Sequence, residues 1–341
     1  MVVLSKKMNQ NTLKLSIALS ENERTKPILN GEVKAKGIDF FTTGVHPSEM
    51  FWRQLKFKDF DVSEMSLSSL IIATSKGNRE WVALPIFTSR KFFHTNILIR
   101  SDKGIHSPGD LKGKKIGVPE YQQTAAIWAR AALEHEFGVS PTDIEWFMER
   151  NSGKSHGGAT GFNPPARVRI NTIPTTTNIG EMLSSGEIDG TLLYLNNANL
   201  VDRSQLQLNE NNKVISLFRN KQKESQRYFQ KTGIYPINHT VVIKRELYEA
   251  HPWLAINIYH AFMEAKNMMH DLTKENLKAY FETGLSGLFN ESALVTNDPK
   301  SYGILANRHI IELLIKYIHE QGLISQPLAL VDLFAQQTLE L

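Results

Sequence analysis

The sequence predicts an α/β protein built as a two-lobed clamshell, with two crossing hinge strands and a helical C-terminal part. Three observations predict it. At 341 residues the chain exceeds the length at which one core usually stops growing. Strand-like and helix-like runs alternate from Leu13 to Phe87, the signature of a parallel sheet with helices on its faces. Two longer strand-like runs, Phe93–Arg100 and His239–Lys244, then bracket a second alternating unit. Two crossings between α/β lobes describe a hinge with a ligand cleft between them. The expected division is 1–97 plus 240–341 for one lobe and 98–239 for the other.

In the first unit Leu13–Leu19 alternates as a strand, and Gly37–Thr43 forms a second strand followed by a helix through Met50–Leu55. Phe60–Glu64 is a short buried strand ending in a Ser-rich loop, Ser66–Ser69, which feeds an apolar helix through Ile71 and Ile72. Val82–Phe87 closes the unit. In the second, Ile116–Val118 is a strand bounded by Gly113 and Pro119, and Ala125, Trp128, Ala129, Ala132 and Leu133 repeat at helical spacing. Thr124 is the expected N-cap. Asn151–Pro165, rich in Gly, Ser and Pro, reads as a mobile surface loop. A strand near Val168–Ile173, a helix through Ile179–Leu183 and a strand Gly190–Leu195 complete the unit. Beyond Lys244 the expectation is helical throughout: Arg245–Ala250, Pro252–Asp271, Lys274–Phe281 and Tyr302–Gln321.

Composition narrows the function classes. The chain is 41% hydrophobic and 22% charged with a formal net charge of +4, normal for a globular protein and without the basic blocks of a nucleic-acid surface. It contains no Cys, which removes disulfides, thiolate metal sites, Cys nucleophiles and a lipoprotein anchor. The first residues lack an apolar h-region and no stretch is long enough for a transmembrane helix, so the expected location is cytoplasmic, with no membrane partner. No G-x-G-x-x-G, P-loop, H-E-x-x-H or G-x-S-x-G occurs, and the eleven His show no metal-ligand spacing. No metal and no cofactor are expected. A homo-oligomer is compatible with the sequence.

Candidate site residues stand where open α/β sheets bind ligands, at the C-terminal ends of strands. Glu64, Ser66, Ser68 and Ser69 end one strand, Ser89 and Arg90 follow another, and His94 and His239 begin the two crossing strands. The turn Glu120–Gln123, with Tyr121 and Thr124, delivers a helix N-terminus suited to a carboxylate or phosphate.

These residues lie in longer motifs. DVSEMSLSSL (61–70), PIFTSRKFFHTNILIR (85–100), GKKIGVPEYQQTAAIWARAAL (113–133), TGIYPINHTVVIKRELYEAHPWLA (232–255) and ANRHIIELLIKYIHEQGL (306–323) resemble the 4,5-dihydroxyphthalate decarboxylase family, in order and over nearly the whole chain. The family is similar in fold to type 2 periplasmic binding proteins. The resemblance implies cofactor-independent, non-oxidative loss of CO2 from a small aromatic dicarboxylate, 4,5-dihydroxyphthalate giving protocatechuate. For that chemistry we assign Arg90 to a substrate carboxylate, with Arg24 of ERTKPILNG (23–31) as a second grip. His94 and His239 become acid and base, and Glu64 and Glu120 orient them or act as the acid. Ser66, Ser68, Ser69, Tyr121 and Thr124 would bind ring hydroxyls and carboxylate oxygens, and Tyr194 is a further substrate-binding candidate. Where the family tends to carry an Arg-Pro segment, GEIDGTLLYLNNANL (186–200) has Tyr194, Asn196 and Asn197, which leaves the exact substrate open. The competing class is a non-catalytic cytosolic binding or sensor protein with the same cleft.

Overall fold

The computed structural model describes residues 12–283 and 298–341, arranged around two sheets. The first holds β1 (Leu13–Leu19), β2 (Ile38–Gly44), β3 (Val62–Ser66), β4 (Trp81–Arg90) and β11 (Ile237–Lys244), in the order β2-β1-β3-β11-β4. The second holds β5 (Leu98–Arg100), β6 (Lys115–Val118), β7 (Glu145–Met148), β8 (Ile170–Thr172), β9 (Gly190–Thr191) and β10 (Val214–Ser216), in the order β10-β5-β9-β6-β7-β8. Helices cover both: α1 (Lys26–Leu29), α2 (Pro47–Phe57), α3 (Leu67–Ser75), α4 (Thr124–Phe137), α5 (His156–Thr160), α6 (Ile179–Ser185), α7 (Lys221–Thr232), α8 (Arg245–Ala250), α9 (Trp253–Glu282) and α10 (Arg308–Glu320). Among the described residues no helix is long and apolar enough to cross a membrane.

Strands β1, β2 and β3 are parallel, as the alternating pattern predicts. The returning strand β11 inserts between β3 and β4 and runs antiparallel to both, so the first sheet is mixed. A strand coming back from the other sheet must run against those that left, and this register sets His239 opposite both Ser66 and Ser89.

Five local readings change. Phe93–Asn96 is a 3₁₀ turn, not the start of a crossing strand, because the Thr95 hydroxyl and Asn96 amide both bond the Phe92 carbonyl. The Ser-rich stretch is not a loop: Ser66 ends β3, and Ser68 and Ser69 lie fully buried in the first turn of α3. Asn151–Pro165 carries a 3₁₀ turn and α5, capped by the side chains of Asn151 and Ser155. Finally, α9 runs unbroken through Thr273, whose hydroxyl bonds the Met269 carbonyl one turn back. In α4 the N-cap is Gln123, and the Thr124 hydroxyl reaches outward to another helix.

Candidate active site

Between the sheets lies a cavity of about 360 Å³. Its walls come from the start of α2 (His46, Ser48, Phe51), the segment after β4, the N-terminus of α4, Leu193–Leu195 and the start of β11. A second, more polar cavity of about 730 Å³ adjoins it and contains Arg24, Arg90 and Lys300. His46, Pro47 and His239 line both.

Glu64 sits at the bottom of this region, fully buried on β3. One carboxylate oxygen accepts the Ser20 amide and hydroxyl, each at 2.7 Å. The other accepts the Thr88 hydroxyl at 2.6 Å and bonds His239 Nδ1 at 3.0 Å. Burial pushes the Glu64 carboxyl up, but the bond and charge of His239, with Ser20 and Thr88, hold it below its ordinary value. The Asn238 amide lies 2.8 Å from His239 Nε2. When the ring is neutral, the carboxylate on Nδ1 and the amide donor on Nε2 define one tautomer, with Nδ1 protonated and the Nε2 lone pair accepting the Asn238 amide. Phe51 packs edge-on against the imidazole at 4.7 Å. The result is a histidine fixed at both ring nitrogens on the wall shared by the two cavities.

Glu120 lies elsewhere, in a buried network that the sequence reading missed. Arg150, with 1% exposure, bonds Glu120 at 3.0 Å, Asp202 at 2.7 Å and the Ser48 hydroxyl of α2 at 2.7 Å. Glu120 also accepts the backbone amides of His156 and Gly157 at the start of α5. Gln123, with its amide turned, accepts from Arg150 as well. Burial opposes the Arg150 charge, but Asp202 and Glu120 raise its proton affinity above the ordinary arginine value. His156 donates through Nε2 to the Ser48 carbonyl at 3.1 Å, and burial pulls its pKa down. This network joins the second sheet's loops to α2.

The remaining predicted residues divide. Ser66 and Thr124 line the cavity and bond each other at 2.9 Å, while Ser68 bonds Thr124 through its amide and the Gln122 carbonyl through its hydroxyl. Ser69 and Tyr121 are buried and outside both cavities; Tyr121 lies under the Arg130 guanidinium at 3.7 Å. Tyr194 lines the main cavity and donates to the Leu206 carbonyl, its pKa pushed up to about 12 by burial and Glu149. Arg90 bonds the carbonyls of Tyr235 and Ser301 and the Asn307 side chain, all neutral acceptors. Burial and the Arg24 charge pull its pKa down to about 10. Arg24 bonds the carbonyls of Phe87 and Thr88. His94 is not with this group: it pairs with Glu224 at 3.1 Å, packs on Tyr228 and Phe218, and lies outside both cavities. The 3₁₀ turn that replaced the expected strand directs it toward α7.

His46 was also missed. It follows β2 at its C-terminal end, and the strand-end rule that found Glu64 would have found it. Among the described residues no three His, Asp or Glu side chains cluster as a metal set.

Comparison with known proteins follows the same lines. The family model described as NMT1/THI5 like matches residues 84–155. A 4,5-dihydroxyphthalate decarboxylase of Comamonas testosteroni is 34% identical over 332 residues, spanning 96% of this chain and 98% of its own. A protein of the same name from Pseudomonas putida is 40% identical over 182 residues, 53% of this chain and 70% of its own. Among solved structures, the periplasmic aliphatic sulphonate binding protein SsuA from Escherichia coli superposes with a TM-score of 0.53 at 13% identity, covering 96% of this chain and 93% of that one. That likeness shows the fold, the two-lobed arrangement of type 2 periplasmic binding proteins.

Proposed function

This chain belongs to the 4,5-dihydroxyphthalate decarboxylase family, and on that premise we propose that it converts 4,5-dihydroxyphthalate to protocatechuate and CO2 in the cleft beside His239. The observation that carries the reading is the Glu64–His239 pair, a buried carboxylate that fixes a histidine lining the cavity. The strands of each sheet support the lobe division stated above with one shift: β11 joins the first sheet from Ile237, so Ile237–His239 go with the described parts of 1–97 and 240–341 rather than with the second lobe.

In this substrate each carboxylate is para to a hydroxyl. Loss of the hydroxyl proton pushes electron density to the carboxylate-bearing carbon, a proton added there gives a dienone, and CO2 leaves as aromaticity returns. The reaction consumes one proton per turnover. His239 is the group we assign to deliver it. Nε2 takes a proton from solvent, Glu64 stabilises the imidazolium, and a half-turn of the Asn238 amide presents an oxygen to the new N–H.

Binding follows from the walls. The first amides of α4, beside Gln123 and Thr124, suit the retained carboxylate, since a helix N-terminus leaves unpaired N–H groups. Arg90 and Arg24 add positive field from the adjoining cavity, although their guanidinium groups already hold backbone carbonyls. Phe51, Phe93, Leu98 and Leu193 form the apolar side, against which the departing carboxylate loses its charge.

The test is direct. Purified protein incubated with 4,5-dihydroxyphthalate should release CO2 and protocatechuate, and His239→Gln should lower kcat by ~10²–10⁴-fold. Tight binding without CO2 would overturn the reading in favour of a binding protein, and an unchanged His239→Gln variant would remove His239 from the chemistry.

A further inference from the structure

We propose that His46 is a catalytic base of the cleft, the group that takes the hydroxyl proton from the substrate while His239 serves the ring carbon. The inference rests on the decarboxylation reading and adds the second proton-transfer residue that this chemistry needs.

His46 is held at the mouth of the cleft by its backbone. It is the N-cap of α2, its carbonyl accepts the Met50 amide at 2.9 Å, and Pro47 fixes the first helical residue. It shares the lining of both cavities with His239. Unlike His239 and His156, its ring makes no hydrogen bond among the described residues, and its Nδ1 is shielded from solvent. A half-buried imidazole with no protein partner, facing a cavity lined by a second, carboxylate-anchored imidazole, is free to bond a ligand hydroxyl.

Its surroundings favour the neutral form. Burial lowers its pKa; Asp202 and Glu49 oppose this, while Arg150 and His239 add to it. The shared cavities also bring Arg24, Arg90, Lys300, Glu21 and Glu23 on one side, and Lys91, Lys221, His156 and Tyr194 on the other. A neutral imidazole at working pH is a base.

The step balances. The hydroxyl O–H breaks and its proton bonds to His46, while the oxygen electron pair moves through the ring to the para carbon. That carbon takes the proton from His239 Nε2. The carbon–carboxylate bond then breaks, its electron pair restoring the aromatic phenolate, and CO2 leaves. His46 returns its proton to the phenolate, and His239 is reprotonated from water. One proton is consumed and no electrons change hands outside the substrate.

The experiment compares wild type, His46→Gln and His46→Ala in CO2 release from 4,5-dihydroxyphthalate across pH, with protocatechuate affinity as a check on folding. His46→Gln should lose ~10²-fold or more in kcat with KM changed only a few-fold, and the acid limb of the wild-type kcat profile should disappear. Added imidazole should restore at least part of the His46→Ala rate. If wild type releases no CO2, the decarboxylation reading itself fails. If wild type is active and His46→Gln keeps its kcat and acid limb, or folded His46→Ala gains nothing from imidazole, only the assignment of His46 falls.

Discussion

Glu64 illustrates why one buried atom pair can govern both chemistry and stability. Its two oxygens meet four donors and no water-facing surface, so each acceptor position is already assigned. Glu64→Gln keeps the shape but places an NH₂ group against a donor from Ser20, Thr88 or His239. A buried donor left without an acceptor costs about 1–3 kcal/mol, and loss of the carboxylate also removes the partner of the His239 imidazolium. The variant should therefore melt lower and lose at least ~10²-fold in kcat; a stable variant with near-wild-type kcat would show that the pair only packs. Arg90 invites the opposite expectation. Its guanidinium bonds tie β4 to Tyr235, Ser301 and Asn307, so Arg90→Met removes anchors for two loops. With hydrogen bonds to a charged group contributing about 1.5–3 kcal/mol each, the first effect should be a lower denaturant midpoint. An unshifted midpoint with a large rise in KM would return Arg90 to direct substrate contact.

Helix α4 shows how a hydroxyl expected to cap its own helix can instead join two lobes. The Thr124 hydroxyl accepts the Ser68 amide from α3 and bonds the Ser66 hydroxyl, so the two helix starts meet across the cleft. Thr124→Val conserves shape and orphans the buried Ser68 amide. A cost of about 1–3 kcal/mol is expected, read as a lower urea midpoint with an unchanged slope; no shift would mean that water or Ser66 replaces the contact. Elements defined by their own residues were legible in the sequence. Strand β1 and helix α8 begin and end where alternation and helical spacing place them. The 3₁₀ turn at Phe93–Asn96 and helix α5 were not, because Thr95, Asn96, Asn151 and Ser155 bond nearby backbone and override the local pattern. The site divides the same way. Glu64 and His239 stand on β3 and β11 within long motifs, whereas Ser48, Arg150, His156 and Asp202 come from separate segments and meet only once the lobes fold together.

Those meeting points make the closed molecule sensitive to acid. Ser48 bridges to Arg150 and His156, Ser68 to Gln122, and Trp52 and Lys56 to the Gly153 carbonyl, all between the first sheet's helices and the second sheet's loops. Three histidines, His46, His94 and His156, have pKa values pulled below 6.5, in each case first by burial. Each therefore binds its proton more weakly in the folded chain than in the unfolded one. Above about pH 6.5 neither state is protonated and the folded state keeps its full stability; as pH falls through that value the unfolded chain takes up protons first, and stability drops. The slope is at most about 1.4 kcal/mol per pH unit for each histidine. Glu64 and Asp202, held below their ordinary carboxyl values, add losses of the same sign at lower pH. The melting temperature should accordingly fall between about pH 7.5 and pH 5.5, before ordinary carboxylates titrate. Because His156 lies inside the Arg150 network, His156→Gln, whose side-chain amide can still donate to the Ser48 carbonyl, should flatten part of that fall. A melting temperature that stays constant as pH falls over this range would mean that the three rings titrate as in the unfolded chain, and one that rises would mean that the folded state favours their charged form; either result would show that burial does not set their protonation.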